Sequence, residues 1–147
     1  MALRSVGPRL ISENVNDVVE WVLRLPGCPA VTETKVANCT HPTHSGDDAA
    51  WFYVEGDPEQ GVARLRCLAG GHVNEVLDSG EHWTYPGVWQ CPACSQSIAE
   101  VVFGIHAVED TARWLVVALR CVECGEVAGL TDMVVDNKPL EELLAEL

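Results

Sequence analysis

The chain has 147 residues, 48% of them hydrophobic, which is enough for a buried core and too apolar for global disorder. Nine basic against 22 acidic side chains give a formal charge of −13, a field that repels phosphate backbones and weighs against nucleic acid as a partner. No stretch approaches the roughly 18 apolar residues that a membrane span needs, so no membrane role is expected.

Seven cysteines in a short chain can signal a secreted disulfide scaffold, but the count is odd and four of them sit in Cys-x2-Cys pairs. The first residues carry Arg4, Arg9, Glu13, Asp17 and Glu20 and no uninterrupted apolar leader, so the expected setting is reducing and cytoplasmic. The acidity is uneven. Residues 1–38 balance four basic against four acidic side chains, residues 39–80 carry two against seven, and residues 81–147 three against eleven.

Residues 1–11 lack periodicity and contain Gly7-Pro8, which reads as an irregular lead-in. Val15, Val18, Val19, Val22 and Leu23 then form one helical stripe, with Asn14 or Ser12 as cap and Pro26-Gly27 as stop. This amphipathic helix is expected to cover an apolar surface, with Trp21 flanking the contact. Cys28 has no nearby companion and reads as a spare thiol. Cys39-Thr40-His41-Pro42-Thr43-His44 precedes a strand-like run, Ala49 to Val54, and a turn from Gly56 to Gly61. Val62 to Cys67 reads as the return strand, with Ala63, Leu65 and Cys67 on one face and Arg64 and Arg66 on the other. Cys67 then opens Cys67-x4-His72, matching Cys39-x4-His44. A short strand, Val73 to Leu77, follows.

The segment Glu81 to Trp89 holds Trp83, Tyr85 and Trp89, more aromatics than a solvated hinge needs, so it is expected to pack between two modules or to line a ligand cleft. Beyond it, Cys91-Pro92-Ala93-Cys94 and Cys121-Val122-Glu123-Cys124 bracket an alternating strand (Ile98 to Ile105), a polar turn (Ala107 to Thr111) and a return strand (Arg113 to Arg120). Two such pairs joined by a hairpin are the ligand set of a structural zinc site, four thiolates around a tetrahedral ion, leaving a local charge of about −2. Another strand candidate, Val127 to Val135, follows. Pro139 and the stripe Leu140, Leu143, Leu144 and Leu147 read as a short closing helix. The two halves share an element order with a period of about 54 residues, taken from Cys67 and Cys121, and both return strands end Leu-Arg-Cys.

Residues 89–135, in the order knuckle, strand, turn, strand, knuckle, strand, resemble a zinc ribbon of the rubredoxin-like zinc-binding superfamily, and residues 39–78 look like a degenerate copy. The resemblance implies two Zn²⁺ ions: one held by Cys91, Cys94, Cys121 and Cys124, the other by Cys39, His44, Cys67 and His72, with His41 as the alternative to His44. Gly125 fits the family's knuckle, whereas Ser95 stands where a glycine is usual. The expected architecture is mainly β, a small α+β protein: lead-in and helix (1–34), degenerate ribbon (35–82), four-cysteine ribbon (83–137) and closing helix (138–147). Modules this small lack an adequate core, so metal is expected to contribute on the order of 10 kcal/mol per site.

Ribbons serve many roles, so function follows only loosely. The expected role is non-enzymatic: a zinc-binding adaptor meeting a protein partner through an acidic surface. The alternatives are a transcription- or translation-associated ribbon contacting nucleic acid, and a rubredoxin-like iron electron carrier. Thiol–disulfide exchange would want Cys91-x2-Cys94 at a helix N-terminus, but a strand pattern follows it. A catalytic zinc needs an open position, and all four positions of the C-terminal site are filled.

Overall fold

The structure, a computed structural model, describes residues 3–25, 30–39, 50–57, 61–68, 71–77, 79 and 87–147. Strands dominate it, with two helices, as the sequence pattern predicts. The chain's start departs from expectation. Residues 4–11 are a small hairpin and not an irregular lead-in, with β1 (Arg4–Val6) paired antiparallel to β2 (Arg9–Ile11). Gly7-Pro8 makes the turn, Gly7 supplying the left-handed conformation (φ 60°) that a tight reversal needs.

Helix α1 (Val15–Leu23) starts at Asn14, whose side chain accepts from the Asp17 amide while the Asp17 carboxylate accepts from the Asn14 amide, a reciprocal capping box. Of the two candidate caps, Asn14 takes this role; Ser12 is engaged elsewhere. The helix ends at Leu23, three residues before Pro26. Val18 and Val22 are fully buried, and Trp21 is half-buried beside them.

A strand beyond the sequence expectation, β3 (Glu33–Val36), pairs with β8 (Ile98–Val108), Glu33 facing Ile105. The first hairpin is β4 (Phe52–Asp57) and β5 (Val62–Cys67), followed by β6 (Val73–Glu75). A two-residue strand, β7 (Gly87–Val88), pairs with β4, and Trp89 packs on the core. The second hairpin is β8 and β9 (Thr111–Cys121), followed by β10 (Val127–Pro139) and α2 (Leu140–Glu146). Its strands run longer than expected, and the turn shrinks to Glu109 and Asp110, both left-handed.

Both hairpins join one antiparallel sheet in the order β10-β9-β8-β4-β5-β6. The join is narrow: Phe52 faces Ala99 and Tyr53 faces Ile98. Since Phe52 also faces Cys67, and Ala99 faces Cys121, four buried residues form one row, Cys67–Phe52–Ala99–Cys121. The larger core lies on that face, where Val54, Leu65, Phe103, Ile105, Leu115 and Leu143 meet. A smaller core lies on the opposite face, under α1, where Val18 and Val22 cover Val102 and Ala118. Both faces of β8 are therefore buried, which is why its apolar run is continuous rather than alternating.

Candidate metal centre

Cys91 and Cys94 lie just before β8, and Cys121 and Cys124 at the end of β9, so the hairpin's pairing draws the two turns together. Each turn is closed by the same backbone bonds. The Cys91 amide donates to the Gln96 carbonyl (2.8 Å) and the Ser95 amide to the Cys91 carbonyl (2.9 Å). Likewise the Cys121 amide donates to Glu126 and the Gly125 amide to Cys121, both at 2.9 Å. The residue four after the first cysteine of each turn is left-handed, Ser95 at φ 66° and Gly125 at φ 79°.

Cys91 Sγ lies 3.6 Å from Cys124 Sγ, and Cys94 Sγ lies 3.5 Å from Cys121 Sγ. All four sulfurs fall within 4.8 Å of one another. Tetrahedral Zn–S bonds of about 2.3 Å require sulfur–sulfur edges of about 3.8 Å, so this donor set fits such an ion with small adjustments. The four cysteines can therefore bind a metal. Burial pushes the Cys91 and Cys121 thiols up from their ordinary value, while the Gln96 amide holds Cys94 below it. Amides also face the buried pair, those of Ala93 and Cys94 at Cys91 and those of Glu123 and Cys124 at Cys121, and they favour the thiolate form that a metal needs.

Four residues around this centre escaped the sequence reading. Glu126 is only 5% exposed. One of its carboxylate oxygens lies 3.5 Å from Cys91 Sγ, and the other accepts from Arg9 Nε at 2.8 Å. Arg9 Nη2 also reaches Cys124 Sγ at 3.9 Å. A metal-bound Cys91 thiolate would be repelled by this carboxylate, and Arg9, which pairs with Glu126 and reaches the neighbouring Cys124 sulfur, would offset that repulsion. Ser12 caps the second turn: its amide and its hydroxyl donate to the Gly125 carbonyl at 2.8 and 2.7 Å. Arg120 completes the tie, donating to Ser12 Oγ and to the Glu13 carbonyl, each at 2.9 Å. The N-terminal segment is thus strapped across the second knuckle.

The N-terminal candidates are placed differently. Cys67 is buried at the end of β5, and its turn repeats the bonds above: its amide donates to His72 O (2.8 Å), and the Gly71 amide donates to Cys67 O (2.9 Å). Gly71 is left-handed at φ 67°. A third bond recurs as well, Leu68 N–H to Trp51 O matching Val122 N–H to Ile98 O, both at 3.1 Å. Cys39 is half-buried against the larger core. Cys39 and His72 line one cavity of about 340 Å³ with Phe52, Leu65 and Leu147. Among the described residues, however, the four C-terminal cysteines are the group whose ligand atoms close together; Cys39, Cys67 and His72 do not form one. Cys28, His41, His44, Trp83 and Tyr85 lie outside the described residues.

Comparison with protein-family models, with curated proteins and with solved structures returns no match. Among the described residues, no helix is long and apolar enough to cross a membrane.

Proposed function

We propose that this chain is a non-enzymatic zinc protein, a tandem of zinc-ribbon-like units acting as a protein-binding adaptor. The observation that carries the proposal is the closed four-cysteine group, with sulfur contacts of 3.5 and 3.6 Å near those of a tetrahedral ion. Four thiolates fill every position of that ion, so it holds structure and presents no open site to a substrate. The matching bonds at Cys67 and Cys121, 54 residues apart, support the tandem reading and with it a second Zn²⁺ in the N-terminal unit. Its donors on this reading are Cys39, Cys67, His72 and His44, with His41 as the alternative.

The choice of a protein partner over nucleic acid rests on the state of the cations. Arg64 and Arg66 pair with Glu55, Arg64 also with Glu75, Arg9 with Glu126, Arg120 with Glu100 and Lys138 with Glu146. With at least five of the nine basic side chains paired with acidic neighbours on a chain of charge −13, little remains to draw a phosphate backbone. Elemental analysis of protein purified without added metal tests the core of the proposal. Zinc, with little iron, is expected; stoichiometric iron with a red colour points instead to the electron-carrier alternative and overturns it.

A further inference from the structure

The two candidate sites differ in ways that set how tightly each holds its metal. In the C-terminal centre the sulfurs already stand together, and Ser12, Arg9 and Glu126 pack over the second turn. The Cys67 turn has the backbone of a metal knuckle but not its full donor set. With β5 and β6 aligned on β9 and β10 by their pairings (Arg66 with Val73, Arg120 with Val127), position 124 corresponds to position 70, a glycine. The knuckle therefore offers one thiolate where its counterpart offers two.

The remaining donors come from Cys39 and His72. Cys39 and His72 share the walls of the 340 Å³ cavity with Phe52, and Phe52 lies directly across from Cys67 in the sheet, so Cys67 stands one strand away from a space that the other two donors line. Exchanging thiolate for neutral imidazole lowers the negative charge that holds a dication, and donors not yet closed must be drawn in at a cost in affinity. The cavity also gives a competing ligand a way in.

We infer that the N-terminal unit carries the exchangeable one of two zinc sites, with Cys39, Cys67 and His72 as donors, able to release its ion to a chelator while the four-cysteine centre stays loaded. The inference rests on the zinc reading above and adds to it that one ion is labile. Ala145, Glu146 and Leu147 at the end of the chain line the same cavity.

The test uses the full-length zinc-loaded protein and the coloured zinc chelator 4-(2-pyridylazo)resorcinol. About one of two zinc equivalents should pass to the chelator with unchanged far-ultraviolet circular dichroism, and the second only after a mercurial blocks the thiols. Cys67→Ser should abolish the labile equivalent and keep the tight one. Because Cys67 is buried, His72→Ala, at a half-buried position, serves as the second variant and should give the same loss. Release of both equivalents together, a wild type with a single tight equivalent, or two equivalents retained in both variants overturns the inference. Protein without any zinc overturns the zinc reading itself.

Discussion

Gly125→Ala probes the strap over the metal centre, and Gly71→Ala supplies its control. Both glycines follow a buried cysteine by four residues and are left-handed, at φ 79° and 67°. Forcing alanine into that conformation costs about 1–2 kcal/mol at either position. The surroundings differ. A Cβ on Gly71 meets nothing within 4 Å, whereas one on Gly125 would lie 2.3 Å from the Ser12 carbonyl oxygen. Backbone must then move, and the Ser12 amide and hydroxyl lose their bonds to the Gly125 carbonyl at 2.8 and 2.7 Å, worth about 1 kcal/mol each. Gly125→Ala should therefore cost about 3–4 kcal/mol. With a urea dependence of about 2 kcal/mol/M, its unfolding midpoint falls by roughly 2 M and that of Gly71→Ala by under ~1 M. Equilibrium urea unfolding of the zinc-loaded proteins, followed by tryptophan fluorescence, measures both. Equal shifts would refute the reasoning, because the strap contact would then contribute nothing beyond the turn.

Ser95 occupies the matching left-handed position in the first knuckle at φ 66°, so Ser95→Gly should stabilise by about 1 kcal/mol and raise the thermal midpoint by a few degrees. Gly104→Ala should destabilise by about 1–3 kcal/mol through overpacking, since its Cβ would lie 2.4 Å from Val22 Cγ1 and 2.8 Å from Val116 Cγ1. Adding Val22→Ala should recover part of that loss, and a double variant no more stable than Gly104→Ala would place the strain elsewhere. The charge of −13 predicts no measurable binding to generic duplex DNA at physiological salt in an anisotropy titration. Micromolar, salt-sensitive binding would contradict it and favour the nucleic-acid alternative.

The parts of the fold legible in the sequence are those with local causes. Cys-x2-Cys spacing reflects a turn that closes within six residues, so all four cysteines could be named before their sulfurs were seen together. The stripe of Val15, Val18 and Val22 and the cap at Asn14 follow from helical period and capping chemistry, and α1 is where they place it. In β5 the expected faces hold as well, Ala63, Leu65 and Cys67 buried and the two arginines less so. What stayed hidden depends on distant pairing. The strands β1, β2 and β3 are three or four residues long, too short for alternation to register, and β3 exists because β8 offers it an edge. Arg9 and Glu126 are 117 residues apart, and no spacing rule joins them. β8 continues beyond Ile105 through His106, Ala107 and Val108, which are only partly buried, so no apolar alternation marks them in the sequence.

The shared sheet also changes what a metal has to do. Had the two units been separate, each would lack a core and depend on its ion to fold. Instead Phe52, Val54 and Leu65 from one hairpin and Phe103, Ile105 and Leu115 from the other are buried in one cluster, each side chain contributing about 1.5–3 kcal/mol of transfer free energy. Cys67 and Cys121 mark the two ends of the row across that cluster, three strand spacings or about 14 Å apart. Burial holds the middle of the sheet. On the proposed reading, an ion would add a fixed position for the knuckle that holds it. At the second knuckle that position is where the strap attaches: Ser12 bonds Gly125, and through Asn14 the same segment leads directly into α1. On the proposed reading, metal at the C-terminal centre therefore stabilises the seat of the N-terminal helix as well as the turns themselves.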